Sequence, residues 1–369
     1  MTAPLFYTCL PAGRAHSRQY QPAVAPARQK LRRGAKLLTV DIHCHFTSRR
    51  ADDLAFQVRK PHDEPTLGVL TDAERERHRR YIESLDERIR GTEARLREMD
   101  QQGIDIQVVS PGPMQFFYYL EPGLGREASR MVNDDIAELC GSHPDRLIPM
   151  GTVPMQEPRL AVEELIRCTK KLGMRAVEIN TNVNGEEFSE AKYEPFFSKA
   201  EELGILLFMH PLGFTEGKRL ARYTFNNVIG NPLESTIAVG HLIFGGVLER
   251  HPGLKLCIAH GGGYAAHYIG RMDHAYRARP ELRQSLRLKP SDYMKRLYFD
   301  TVLYDPVEVE NLVRRWGARH VLLGTDWPYN MGEPDPLGLL KRCRISESDS
   351  MAIAGRNAAR LLGIRTKAS

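Results

Sequence analysis

What the chain lacks narrows it first. No stretch approaches the roughly 20 consecutive apolar residues that a helix needs to cross a bilayer, so a helical membrane span is not expected. The six cysteines (Cys9, Cys44, Cys140, Cys168, Cys257 and Cys343) form no Cys-x-x-Cys pair. That absence removes zinc ribbons and dithiol redox motifs, fits a reducing compartment, and makes a cytoplasmic address the expectation. There is no Gly-rich phosphate turn of the kind that opens a dinucleotide-binding fold, no internal repeat beyond a strand–helix period, and no low-complexity tract after residue 36. Acid is missing from residues 1–40, which hold seven Lys or Arg. This local excess accounts for the net charge of +6, because residues 41–369 carry 45 basic and 46 acidic side chains. The body is close to neutral, with no sign of a nucleic-acid groove.

Residues 1–36, rich in Ala, Pro, Arg and Gln, show no sustained periodicity and no apolar run of a secretory signal, and Pro11, Pro22 and Pro26 oppose an amphipathic targeting helix. They read as a disordered basic N-terminal extension ahead of one catalytic domain over 37–365. In that domain short apolar runs at 37–45, 104–110, 147–153, 176–180, 205–210, 255–260, 297–301 and 320–326 alternate with amphipathic segments. Helices are predicted over 88–102, 125–142, 157–172, 189–203, 233–250, 262–279 and 306–316. Pro158, Pro306 and Asn231-Pro232 mark helix starts, while Gly103, Gly173 and Gly204 stand at left-handed cap positions. Eight buried strands, each followed by a helix, describe an α/β protein of the (β/α)8 TIM-barrel class. Residues 47–87 form a small insertion after strand one, over the barrel mouth, and 211–232 a long active-site loop.

Chemistry collects at strand ends. On strand one His43 and His45 share a face because side chains alternate, so both imidazoles can grip one divalent metal. Leu206-Leu207-Phe208-Met209 runs into His210, Leu256-Cys257-Ile258-Ala259 into His260, and Val321-Leu322-Leu323-Gly324-Thr325 into Asp326. Any one such histidine fits a hydrogen-bonded core position. Five such residues coincident at four strand ends need a common cause, since buried polar groups are costly. His43, His45, His210 and Asp326 make a plausible metal shell, and a metal there would lower the pKa of bound water from about 15.7 to about 7. His260 stands beside it as general acid/base, and Asp326 is shared between metal and catalysis. The remaining histidines (His16, His62, His78, His143, His241, His251, His267, His274 and His320) fall in tail, loop or helix positions, and most are expected on the solvated surface.

Asp41-Ile42-His43-Cys44-His45-Phe46, His210-Pro211, His260-Gly261-Gly262-Gly263 and Gly324-Thr325-Asp326-Trp327-Pro328 resemble motifs of the amidohydrolase superfamily. The stretches Glu98-Met99-Asp100-Gln101-Gln102-Gly103-Ile104-Asp105 and Phe244-Gly245-Gly246-Val247-Leu248-Glu249-Arg250-His251-Pro252 are similar to its branch containing aminocarboxymuconate-semialdehyde decarboxylase and the γ-resorcylate decarboxylases. The resemblance covers residues 38 to about 363. It implies a metal-dependent TIM barrel and a carboxy-lyase that decarboxylates an aromatic or muconate-semialdehyde-type acid without an organic cofactor. One divalent ion, Zn2+ or else Mn2+, would sit on His43, His45, His210 and Asp326, with His260 as acid/base. Members with two metals carry a bridging lysine on strand four, where this chain has Glu178. Arg271 and Arg279 match arginines that hold the substrate carboxylate, the first reaching in from a neighbouring subunit, which implies a homodimer. Read without the resemblance, both are helix-surface arginines. Met114, Phe116, Phe117, Tyr118 and Tyr119 either floor a flat pocket or pack in core or interface. The alternative reaction at the same site is hydrolysis or hydration of a lactone, amide or unsaturated acid. A non-catalytic binding barrel would lack metal ligands, and none is missing.

Overall fold

The computed structural model describes residues 38–58, 64–214 and 216–364, so the basic extension over 1–36 lies outside the described residues. Eight strands run parallel in chain order: β1 Val40–Phe46, β2 Ile106–Pro111, β3 Leu147–Thr152, β4 Ala176–Ile179, β5 Leu206–Met209, β6 Lys255–Ile258, β7 Tyr298–Asp300 and β8 Val321–Leu322. Hydrogen bonds from Ile42 N to Leu323 O (2.9 Å) and from His45 N to Trp327 O (2.8 Å) tie the segment after β8 back to β1. The result is a (β/α)8 barrel.

Period-two alternation sorts the strands into two layers. Leu206 and Phe208 of β5 join Val108, Met150, Cys257 and Leu322 inside the barrel, while Leu207 and Met209 pack outward against helices. Ala358 and Leu362 of the last helix complete the inner cluster. Gly355 ahead of them lies so near the start of β1 that a Cβ would stand 2.2 Å from Leu38 O.

β1 departs from the alternation. Asp41 pairs with Gln107 but Cys44 with Val109, so three steps on β1 oppose two on β2 and the strand holds one extra residue. The bulge lets Val40 and Ile42 join the inner cluster while His43 also turns inward, its ring 5.0 Å from that of Phe208. Cys44 packs in the outer layer. In an unbroken strand, the apolar pair and the two histidines would face opposite ways.

The insertion is helical where described: Arg49–Phe56, Pro65–Val69 and Asp72–Arg90. Extended Gly91 separates the last of these from Thr92–Gln102, where one helix over 88–102 was expected. The segment 233–250 likewise divides into Asn231–Phe244 and Val247–Arg250 around left-handed Gly246. Gly103 and Gly204 take the predicted left-handed caps. Two histidines expected at the surface are buried because each has partners there. His251 lies between Glu194 (2.8 Å) and Glu201 (3.1 Å). His320 donates Nδ1–H to Leu297 O (2.9 Å) and accepts from Arg319 Nε (3.0 Å). Among the described residues no helix is long and apolar enough to cross a membrane.

Candidate metal and catalytic site

The C-terminal ends of the strands bring His43, His45, His210 and Asp326 together, with one ligand atom from each inside a 4.8 Å span. All four are buried. His43 Nε2 and His45 Nε2 are 3.1 Å apart, and Asp326 Oδ1 lies 3.3 Å from the first and 3.1 Å from the second. Their other ring nitrogens are committed. His45 Nδ1 meets Pro111 O at 2.8 Å, and a carbonyl only accepts, so that nitrogen carries the proton. His43 Nδ1 meets Asp300 Oδ2 at 2.6 Å. Asp300 also accepts from the backbone of His260 (3.1 Å), Gly261 (2.9 Å) and Val302 (3.1 Å). Burial works to raise the Asp300 pKa, but His43 and these donors outweigh it and hold the carboxyl below its usual range. The Nε2 atoms are left facing one point.

A cation fits that point. Burial opposes a charge on His43, yet Asp326 and Asp300 outweigh it and lift the imidazole well above its ordinary pKa; the proton drawn there is the competitor a metal displaces. Asp326 is likewise held well below the carboxylate range, the charge of His43 and the hydrogen bonds of three histidines overcoming burial. His210 is the strongest sign. Only 3% exposed, it has no hydrogen bond at either ring nitrogen, and burial among other imidazoles keeps it neutral. Three nitrogens and one carboxylate oxygen, with carboxylate and carbonyl partners behind two of the imidazoles, suit one divalent ion.

His260 completes the group. Its ring centroid is 4.9 Å from that of His210 and its Nε2 is 3.8 Å from Asp326 Oδ2. Both His260 and Asp326 adopt positive φ, 54° and 59°, a costly conformation for residues with a Cβ that concentrates at functional sites. After His260 the chain needs glycine: a Cβ on Gly263 would stand 2.4 Å from Pro232 O. Behind β1, fully buried Asp41 accepts from His43 N (3.0 Å), Thr325 N (3.1 Å), Thr325 Oγ1 (2.7 Å) and Gln107 Nε2 (3.1 Å). Burial pushes its carboxyl up to about 6.

Above the cluster lies a cavity of about 480 Å3, walled by Leu70, Arg77, Tyr81 and Ile82 of the insertion, Met114 after β2, Leu212 and Asn226 after β5, and Tyr329 and Met331 after β8. His210, His260 and Asp326 line its floor. Among the described lining residues Arg77 is the only arginine, and it pairs with Glu74. Arg271 and Arg279 do not line this cavity in a single chain. Arg271 is exposed beside His267, Tyr268, His274 and Arg315, and Arg279 is exposed near Glu281 (3.7 Å). Of the aromatic stretch after β2, Phe116, Phe117 and Tyr118 are buried core that backs a second hollow of about 320 Å3; Met114 lines both spaces. Glu178 on β4 is buried with neither oxygen hydrogen-bonded, and burial pushes its carboxyl up to about 7. Sequence reasoning missed Asp300 and Tyr329, the latter with its ring 5.2 Å from that of His45. Asp300 was findable, since Tyr298-Phe299 ends in an acid just as β5 runs into His210.

The match to the amidohydrolase family model runs over residues 40–364, and the chain belongs to that family. Within it the chain falls in the branch of aminocarboxymuconate-semialdehyde and γ-resorcylate decarboxylases, which makes it an enzyme of carbon–carbon lyase type. The 2-amino-3-carboxymuconate-6-semialdehyde decarboxylase of Dictyostelium discoideum is 33% identical over 77% of this chain and 80% of its own length. The γ-resorcylate decarboxylase of Rhodococcus jostii is 26% identical over 73% and 86%. Among solved structures, 5-carboxyvanillate decarboxylase from Sphingomonas paucimobilis superposes with a TM-score of 0.79 at 22% identity, covering 89% of this chain and 100% of its own. A dihydroxybenzoic acid decarboxylase from Polaromonas, solved with bound manganese and 2-nitroresorcinol, gives 0.74 at 22% identity, covering 90% and 99%. These two likenesses concern the fold.

Proposed function

We propose that the chain is a metal-dependent, non-oxidative decarboxylase of an aromatic or muconate-semialdehyde-type carboxylic acid. The observation that carries this reading is a cluster of three histidines and one aspartate, with a further histidine beside it, on the floor of a largely apolar cavity whose wall bears one arginine. A flat unsaturated acid suits such a space, with apolar walls for its body and polar side chains such as Arg77 and Asn226 to orient it. The named activities of the relatives in Dictyostelium and Rhodococcus support the same class. On this reading His43, His45, His210 and Asp326 hold one divalent ion, Zn2+ or Mn2+, which supplies Lewis acidity toward a substrate oxygen.

His260 handles the proton. The carbon–carbon bond to the carboxylate breaks, CO2 leaves, and the electron pair stays on the substrate carbon, which takes a proton from His260 Nε2. Asp326 Oδ2, 3.8 Å from that nitrogen, orients the ring while its other oxygen faces the metal ligands. The insertion walls the cavity and excludes water that would compete for the reacting carbon. Carboxylate recognition falls to guanidinium groups, whose planar forks match a carboxylate. Within one chain Arg77 lines the cavity with its guanidinium paired to Glu74, a partner that a substrate carboxylate would displace on this reading. Arg271 and Arg279 act, on this reading, in a homodimer, with Arg271 entering the neighbour's cavity. A cytoplasmic address accords with the five described cysteines, all free and buried thiols.

The test is product mass and CO2 release from Zn2+- or Mn2+-loaded protein, across ortho-hydroxy and ortho-amino aromatic acids and carboxymuconate semialdehydes. Release of CO2 with a product lighter by one carboxyl group supports the proposal and identifies the substrate. A product heavier by one water refutes it in favour of the hydrolase or hydratase alternative at the same site.

A further inference from the structure

The helix Thr92–Gln102 carries the Glu98-Met99-Asp100 stretch, for which neither the metal shell nor the cavity accounts. One turn earlier stands Arg95, 0% exposed. Among the described residues no carboxylate lies within ion-pair distance of it. Its donors go to His45 O (2.6 Å), Gln107 Oε1 (3.1 Å), Ile89 O (3.4 Å) and Cys44 Sγ (3.7 Å). Its guanidinium carbon sits 4.2 Å from the centre of the Trp327 ring. Trp327 donates Nε1–H to Glu98 Oε2 (2.8 Å), an oxygen that also accepts from Arg88 Nη2 (2.8 Å).

Gln107 extends the contact inward. Its Oε1 accepts from Arg95, which fixes the amide so that Nε2 donates to Asp41 Oδ2 (3.1 Å). Asp41 in turn accepts from the backbone of His43 and of Thr325. One guanidinium is therefore joined, directly or through one amide and one carboxylate, to the chain at His43, at His45, and on both sides of Asp326. A buried cation with no acid beside it carries a heavy desolvation cost, and an apolar side chain of similar length would fill the space without it. What the guanidinium adds is a rigid fork that holds a carbonyl, an amide and an indole face in one fixed relation.

We propose that Arg95 is a positioning residue for the metal shell, setting the β1 carbonyl at His45 against Trp327 so that His45 Nε2 and Asp326 Oδ1 meet at ligand spacing. The proposal rests on the metal-binding reading of His43, His45, His210 and Asp326. Arg95→Met and Gln107→Met, prepared metal-free, are titrated with Zn2+ and separately with Co2+ against a competing chelator. The visible spectrum of the Co2+ form reports ligand geometry, and circular dichroism with the urea midpoint of the metal-free form reports the fold. The expected result for Arg95→Met is a folded metal-free protein, a loss of metal affinity of about 10–100-fold, and an altered Co2+ spectrum. A folded Arg95→Met with affinity within about twofold of wild type and an unchanged spectrum overturns the proposal. If Arg95→Met does not fold, Gln107→Met decides on the same two readouts, and an unchanged affinity and spectrum there overturn it. A wild-type protein that takes up neither metal is a separate failure: it removes the metal reading, and this proposal with it.

Discussion

His210 offers a test in which one substitution moves stability in opposite directions depending on the solution. Both of its ring nitrogens are buried without a partner, and it makes ring contacts with His43, His45 and His260 at 5.0, 5.1 and 4.9 Å. Leaving buried polar atoms unsatisfied costs about 1–3 kcal/mol, so His210→Leu should stabilise the metal-free protein by about that amount. At about 1.4 °C per kcal/mol for a domain of this length, the metal-free melting temperature should rise by about 1–4 °C. With a divalent ion at about 1,000 times its dissociation constant, the wild type gains about 4.1 kcal/mol from binding, and the variant should forgo most of it. The order of stability should therefore invert between EDTA and saturating Zn2+ or Mn2+. Thermal melts of both proteins in both solutions check this. If the variant is the less stable of the two in EDTA, the orphaned-imidazole argument fails. If both rise equally with metal, His210 is not a ligand.

Three further outcomes are expected. His260→Gln should lower kcat by about 10²–10⁴-fold with metal content unchanged, read by turnover and elemental analysis; loss of metal would make His260 a ligand instead. Glu234 is buried and accepts from Thr181 Oγ1 (3.2 Å) and Asn182 Nδ2 (2.9 Å), and burial pushes its carboxyl up to about 7 from an ordinary 4.5. The native state thus holds this proton over a range where the unfolded state has lost it, and stability falls as pH rises through that window. Glu234→Gln should raise the urea midpoint at a pH above the window and leave it little changed below. Finally, Arg271→Ala and His260→Ala chains, each inactive alone, should regain activity when mixed and refolded together, because one mixed dimer holds an intact site. No recovery would argue against Arg271 serving a neighbour's cavity.

The barrel was legible because its signals are local: apolar runs of strand length, prolines at helix starts, and glycines such as Gly103 and Gly204 at helix ends. The cluster was legible for the same reason, since His210, His260 and Asp326 each stop an apolar run. The bulge in β1 was not. An extra residue in a strand changes neither composition nor hydropathy and shows only against the register of β2. Arg95 was hidden differently. On an amphipathic helix an arginine reads as solvent-facing, and its burial depends on a carbonyl on β1 and an indole after β8, 50 and more than 200 residues away. The insertion over the mouth was expected, but the choice among Arg77, Arg79 and Arg80 was not legible, because which of them lines the cavity is set by how the charge-rich helix folds back over it.

That helix has a consequence for redesign. Asp72–Arg90, which walls the cavity, and Thr92–Gln102, which carries Arg95 and Glu98, are separated only by Gly91. On the proposed reading, substrate choice and metal retention are written on one contiguous piece of chain. A graft of a relative's insertion that ran past Gly91 into Thr92–Gln102 would, on that reading, exchange both at once, whereas one that stops at Gly91 would change the cavity wall and leave Arg95 in place.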